Sequence, residues 1–229
     1  MIEPGQVVSY WEMCKEEETS LQRGMNFRLR GGLSIILMNL RPDAPYADRV
    51  EDDGRTLVYE GHDASRTIEG PDPKTVDQPD SEPSGRPTQN GLFYGAALRY
   101  KNGTSEAERV KVYEKIRPGI WAYNGVFKLV DAWSEMIGGR RVYKFRLETA
   151  GEASKDNREA QLATTRMIPT WVKREVWKRD KGRCVVCGSK DNLHFDHIIP
   201  YSRGGSSLVP ENIQLLCARH NLEKRANIQ

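Results

Sequence analysis

The chain is organised around a stretch near its C-terminus, residues 194–224, that combines two sets of metal-binding side chains. It contains HFDHIIP at 194–200, GG at 204–205 and NIQLLCARHN at 212–221, and CVVC lies upstream at 184–187. The Cys and His residues have the spacing of a zinc site, whereas Asp, His and Asn suit a hard metal ion that binds phosphate. The rest of the sequence is therefore interpreted by asking what brings this stretch to a substrate.

Four residues form two closely spaced ligand pairs, Cys184 with Cys187 and Cys217 with His220. Zinc prefers four tetrahedral N and S ligands, and a closed Cys₃His set leaves no position for water, so the pairs predict a structural zinc ion. A module of about sixty residues also has too small a core to fold without such a staple. The alternative, that these thiols are unrelated, does not account for two paired spacings in one short module. The remaining cysteine, Cys14, receives no role.

Asp196 and His197 are adjacent, so on a strand their side chains point to opposite faces. One can then bind a cation while the other faces a water molecule. Phosphodiester hydrolysis needs an activated nucleophile, charge neutralisation on the phosphate and a stabilised leaving oxygen. One divalent ion and one histidine can supply all three. An isolated Asp-His pair would be equally typical of an ordinary surface contact.

Together these motifs resemble the HNH nuclease family in its zinc-stapled ββα-metal form. The resemblance covers residues 168–226 and implies a metal-dependent endodeoxyribonuclease. In chain order it rests on CxxC at 184–187, DHI at 196–198, Pro200, GG at 204–205, Asn212, LC at 216–217 and HNxxK at 220–224.

The resemblance also implies roles for individual residues. His197 acts as the general base on water, and Asn212 holds the loop that orients His197. The catalytic Mg²⁺ or Mn²⁺ is held by Asp196 and Asn221. The structural Zn²⁺ is held by Cys184, Cys187, Cys217 and His220, and the phosphate contacts are Lys224 and Arg225. An alternative assignment places His220 on the catalytic ion and leaves zinc one ligand short.

The sequence before this module is predicted to be mostly β. The predicted strands lie at 33–40, 56–59, 110–116, 125–133 and 141–147, with a GG turn at 138–139. A helix is predicted at 91–100 and a second at 170–181. Residues 61–90 are rich in Pro, Asp, Gly and Ser and predict a long loop of the kind that usually carries function. Residues 151–166 are small and polar and predict a linker.

Several motifs in this N-terminal part resemble the SRA (YDG) domain family. They lie at 34–40, 46–48, 53–54, 58–61, 121–127 and 142–147, with YNG at 123–125 in place of the family's YDG. The resemblance implies a crescent-shaped β-barrel that flips a modified cytosine out of double-stranded DNA. Tyr46 and Tyr59 would sandwich the base, and Asp48 would accept a hydrogen bond from its amino group. Without the resemblance, these three would be interpreted as ordinary turn and core residues.

Charge is distributed unevenly along the chain. Residues 165–229 contain 12 Lys and Arg against 6 Asp and Glu, a net charge of +6, and the remainder contains 23 against 26, a net charge of −3. A basic tail on a mildly acidic body suggests that the tail meets a polyanion.

There is no apolar run of membrane-helix length and no signal-peptide pattern, and the cysteines fit a reducing compartment. We therefore expect a cytoplasmic protein without membrane association.

The whole sequence predicts an α+β protein. An SRA-like crescent β-barrel with a few helices occupies 1–150, a linker 151–166, and a small ββα-metal HNH domain with structural zinc 167–229. The implied function is that of a type IV-like, modification-dependent restriction endonuclease, which recognises 5-methylcytosine or 5-hydroxymethylcytosine and hydrolyses a nearby phosphodiester bond. One active site cuts one strand, so a homodimer is expected. The alternatives are an HNH nuclease that reads another DNA feature, and a non-catalytic protein that binds modified DNA.

Overall fold

The computed structural model describes residues 2–29, 32–41, 44–150, 167–200 and 203–224. The predicted linker and Arg225 lie outside these residues. The N-terminal body (residues 2–150) contains β1 (Val7–Ser9), α1 (Tyr10–Glu16), β2 (Met25–Asn26), β3 (Ser34–Met38), β4 (Arg49–Glu51), β5 (Thr56–Glu60), α2 (Gln89–Lys101), β6 (Glu108–Arg117), β7 (Ile120–Ile137) and β8 (Arg140–Thr149). The C-terminal module (residues 167–224) contains α3 (Thr170–Arg179), β9 (Leu193–His197), β10 (Ile213–Cys217) and α4 (Ala218–Lys224).

The N-terminal body is built on one sheet in the order β2-β3-β6-β7-β8-β5-β4, with β1 added against β7. Only β3 and β6 run parallel among the described neighbours. At the β7–β8 turn, Gly138 and Gly139 have φ values of +60° and +82°. Two successive left-handed residues give the tight hairpin turn that glycine favours. The prediction of an α+β fold with a mostly β N-terminal part is confirmed.

Helix α2 covers the core face of this sheet. It begins at Thr88, whose hydroxyl accepts a hydrogen bond from the Gly91 N–H at 3.3 Å and so satisfies one of the first free backbone donors. Phe93 and the small residues Ala96 and Ala97 are buried, and the Phe93 ring meets Phe145 edge to face at 6.0 Å. The alanines allow the helix close to the strands, so that burial of Phe93 anchors it.

Residues 61–90 contain few apolar side chains, and two buried amides hold this loop on the sheet. Gln78 is fully buried; it donates to the Gly61 carbonyl at 2.7 Å and accepts from the Tyr143 N–H at 2.8 Å. Asn90 accepts from the His62 N–H at 2.8 Å and donates to a loop carbonyl. Side-chain amides thus replace the apolar contacts that the sequence lacks, because each one satisfies buried backbone groups.

The C-terminal module shares a hydrophobic core with the N-terminal body. Val172 and Val176 on α3 belong to the same buried cluster as Phe195 on β9, and this cluster also includes Ile116 and Ala122 of the large sheet. The β9–β10 hairpin therefore rests, through α3, on the outer side of β6 and β7. None of the helices in the described ranges has both the length and the apolar character needed to cross a membrane.

Candidate active site and base-binding pocket

Strand β9 ends with Asp196 and His197, and the two side chains meet different neighbours. The Asp196 carboxylate lies 2.5 Å from the Lys224 ammonium, which also donates to the His197 carbonyl. The Lys224 side chain is only 1% exposed and that of Asp196 is 20% exposed. In this arrangement Lys224 neutralises Asp196, and it would have to leave the carboxylate to contact a phosphate.

His197 is oriented by Ser207, a residue that sequence reasoning did not identify. The His197 Nε2 atom lies 2.9 Å from the hydroxyl of Ser207, which is buried. A neutral imidazole has one donor and one acceptor nitrogen. When Nε2 donates to Ser207, Nδ1 is the nitrogen that can take a proton. Nothing in the local sequence distinguishes Ser207 from the adjacent Ser206.

Asn212 fastens the loop that follows β9. Its amide oxygen accepts from the Ile199 N–H at 2.8 Å, and its amide nitrogen donates to the carbonyls of Ile199 and Ser206, each at 3.1 Å. The Asn212 carbonyl accepts from the Ile198 N–H at 2.7 Å. A Cβ atom at Gly205 would lie 1.8 Å from the Ile199 oxygen, so only glycine fits there. These contacts hold the described parts of the loop, residues 198–200 and 203–211, in place against Asn212.

The four predicted zinc ligands lie together. Their ligand atoms are all within 4.8 Å of one another, and the set could hold a metal ion. The Sγ atoms of Cys187 and Cys217 are 3.9 Å apart, and His220 Nδ1 lies 3.4 Å from the Cys184 sulfur and 3.3 Å from that of Cys217. Tetrahedral zinc with bonds of about 2.3 Å places neighbouring sulfurs about 3.8 Å apart, so the spacing fits zinc. Burial raises the pKa of the Cys184 thiol, but hydrogen bonds from neighbouring backbone N–H groups outweigh it and lower this pKa to about 6.

Asn221 lies on α4 one turn before Lys224, so both project toward the same side of this helix. Lys224 contacts the Asp196 carboxylate on β9. A carboxylate and an amide oxygen are hard donors of the kind that Mg²⁺ and Mn²⁺ prefer.

His194 also lies on β9, but it is 4% exposed and its Nδ1 atom has no hydrogen-bond partner among the described residues. Burial lowers the pKa of His194, which favours the neutral ring.

The three predicted base-binding residues line one open cleft of about 1600 Å³ in the N-terminal body. Tyr46 is half-buried and precedes β4, whereas Tyr59 lies in β5 and is 2% exposed. Asp48 lines the same cleft, and its carboxylate accepts from the Glu60 N–H at 2.9 Å and from the Asn39 N–H at 3.3 Å. Burial raises the pKa of Asp48 to about 7.

His62 also belongs to this cleft, although sequence reasoning did not include it. Its ring centroid lies 6.2 Å from that of Tyr46 and 6.4 Å from that of Tyr59, and its Nε2 atom is 3.4 Å from the Tyr59 hydroxyl. Burial lowers the pKa of His62 to about 4, so the ring is neutral at pH 7.

The Lys74 ammonium covers one face of Tyr46 at 4.1 Å from the ring centre. A base that stacks on Tyr46 would use the other face.

Residues 184–226 match the family model described as HNH endonuclease. The match includes the zinc set, both strands of the β9–β10 hairpin and α4, and it confirms the sequence-based prediction of an HNH module. No curated protein matches the chain.

Several solved structures are similar to the chain. The SUVH5 SRA domain with hemimethylated CG DNA is 21% identical, with a TM-score of 0.46 over 67% of this chain and 92% of that chain. The modification-dependent TagI restriction endonuclease is 22% identical, with a TM-score of 0.42 over 96% of this chain and 76% of that chain. KRYPTONITE in complex with mCHG DNA is 21% identical, with a TM-score of 0.40 over 68% of this chain and 34% of that chain.

Proposed function

We propose that this protein is a modification-dependent DNA endonuclease, in which the C-terminal module cuts and the cleft of the N-terminal body reads the DNA. One observation carries the proposal. Within the segment that matches HNH endonucleases, His197 lies 2.9 Å from Ser207, Asn212 contacts the loop between them, and Asp196 directly precedes His197 on the same strand. This is the arrangement that a positioned general base beside an anionic metal ligand requires.

In the proposed reaction, His197 takes a proton from the water that attacks the phosphodiester. Ser207 would fix the orientation of the imidazole through its contact with Nε2, and Asn212 would keep the loop from shifting that orientation. Asp196 and Asn221 would hold a divalent ion, Mg²⁺ or Mn²⁺, which when bound supplies positive charge to the phosphate and the leaving oxygen. Cys184, Cys187, Cys217 and His220 would hold a structural Zn²⁺ that fixes the start of α4.

The proposed substrate is double-stranded DNA that carries 5-methylcytosine or 5-hydroxymethylcytosine. A flipped base loses its stacking partners, and the aromatic rings of Tyr46 and Tyr59 would replace them. Asp48, which the Glu60 and Asn39 N–H groups hold in the same cleft, would read the Watson–Crick edge. The neutral ring of His62 lies near both tyrosines and would contact the same base.

The His197→Ala variant tests the catalytic role. Loss of a positioned general base costs about 10²- to 10⁴-fold in rate, and we expect that loss in cleavage of a methylated duplex. Binding of the same duplex, measured by fluorescence anisotropy in Ca²⁺, should not change because His197 is not among the residues that line the cleft. Unchanged cleavage by His197→Ala would reject this mechanism.

The two alternatives give different results in the same assay. A non-catalytic binding protein would show no cleavage by the wild type in Mg²⁺ or Mn²⁺. A nuclease that reads another feature of DNA would cut matched unmodified and methylated duplexes at equal rates.

A further inference from the structure

The contact between the two parts of the chain contains a buried ion pair that the proposed function does not use. Lys173 on α3 lies 2.5 Å from Glu114 on β6, and their side chains are 2% and 0% exposed. The Lys173 ammonium also donates to the Asn124 amide oxygen at 2.7 Å, and the Asn124 amide nitrogen donates to Glu114 at 2.9 Å. Thr170 donates to the other Glu114 oxygen. One positive and one negative charge are thus matched and closely hydrogen-bonded.

Such a pair fixes geometry more than it adds stability. Burial of two charges costs several kcal/mol per ion, about as much as their attraction returns, so an apolar contact of equal size would be as stable. An apolar contact also tolerates sliding. The network around Glu114 does not, because a displacement of α3 would leave a carboxylate and an ammonium unpaired in a dry environment.

A second connection joins β9, the strand that carries Asp196 and His197, to the same sheet. The Gly5 N–H donates to the Tyr123 carbonyl at 2.7 Å, and the Gly5 carbonyl accepts from the Phe195 N–H at 3.0 Å. The next residue, Gln6, forms a bridge with His194. Backbone hydrogen bonds therefore run from β7 through residues 5–6 to β9, one residue before Asp196. Gly5 has a φ of +86°, which glycine adopts without strain.

From these two connections we infer that Lys173 and Glu114 are positioning residues that set the distance from the base-reading cleft to the cut phosphodiester. The inference rests on the proposed function. Because the ion pair, the shared core and the residue 5–6 connection all join the module to β6 and β7, the active site has one location relative to the cleft. Cleavage therefore falls on a narrow group of phosphates at one distance from the modified base.

The test maps cut positions on a long duplex with a single 5-methylcytosine, using the full chain. The Lys173→Met/Glu114→Gln double variant removes both charges together and leaves no unpaired ion. We expect it to bind the methylated duplex as the wild type does and to cut over a broader range of positions. Lys178→Met, an exposed position on the same helix, is the control and should give the wild-type pattern. A folded double variant with the wild-type pattern would overturn the inference.

A second variant decides the matter if the double variant does not fold. Insertion of about eight Gly and Ser residues within 151–166 adds roughly 15 Å of reach without touching the ion pair. If the interface sets the distance, the cut positions stay where they are. If the connecting segment sets it, the pattern broadens and the inference fails. Failure of the proposed function itself is distinguishable, because the wild type would then show no cleavage or no dependence on methylation.

Discussion

Asp48 is the residue at which the proposed base reading would depend most on the protonation state of the protein. Burial raises the pKa of Asp48 to about 7, so near neutral pH its carboxyl carries a proton about half of the time. A protonated carboxyl has one donor and one acceptor, which match the N3 acceptor and the amino donor of cytosine. The ionised form only accepts and would face the N3 lone pair.

We therefore expect affinity for methylated DNA to fall as the pH rises above about 7, by up to about tenfold per pH unit, because the complex favours the protonated form. Asp48→Asn presents a donor and an acceptor without titrating, at the cost of the weaker of its two backbone contacts. Its affinity should be independent of this titration. Anisotropy titrations of both proteins from pH 6 to about 8.5 measure the difference. Parallel profiles for the two proteins would contradict this account of Asp48.

At this scale the sequence identified the residues that lie in short motifs. The zinc set is the clearest case, because Cys184, Cys187, Cys217 and His220 are close in sequence and come together in the structure. Contacts between residues that are far apart in the chain could not be predicted from the sequence. Lys173 and Glu114 are 59 residues apart, and Lys224 reaches Asp196 across 28 residues. Lys173 meets Glu114 because α3 packs on β6. Lys224 meets Asp196 because α4 packs on the end of β9.

At the scale of elements, α4 depends on the zinc set. The Cys184–Cys187 turn is joined to the first residues of α4 through Cys217 and His220, and the same short helix carries Asn221 and Lys224. A helix of 7 residues is too short to be stable alone, so we expect a zinc ion at these four residues to stabilise it.

We expect one zinc ion per chain by elemental analysis. Cys187→Ser should lose that zinc and cleavage with it, while methylated DNA is still bound, because Cys187 is not among the residues that line the cleft. Cys14→Ser is the matched control and should keep both zinc and activity. Full zinc content in Cys187→Ser, or cleavage by zinc-free protein, would show that the set is not a structural staple.

Strands with a strong pattern were predictable, and short strands were not. The predicted strands at 110–116, 125–133 and 141–147 all fall inside β6, β7 and β8. By contrast, β2 and β4 are 2 and 3 residues long and exist only because longer neighbours pair with them. The 18-residue length of β7 has the same origin, since β1, β6 and β8 all pair with it.

At the scale of the whole molecule, one chain has one candidate active site and should cut one strand at a time. We expect the protein to form a homodimer on modified DNA, with a nicked plasmid appearing before the linear form. Sedimentation velocity with a methylated duplex measures the assembly, and a gel time course follows the nicked form. A monomer on DNA, combined with linear product and no nicked stage, would contradict the expectation.

The proposed function requires that cleavage depends on cytosine modification, and one digestion measures this dependence. The same plasmid is prepared with cytosine, 5-methylcytosine or 5-hydroxymethylcytosine and is digested by the wild type and by His197→Ala in Mg²⁺ or Mn²⁺. We expect the wild type to cut a modified plasmid and to leave the unmodified plasmid intact, and we expect His197→Ala to cut none of them. Equal cleavage of the unmodified and modified plasmids would contradict it.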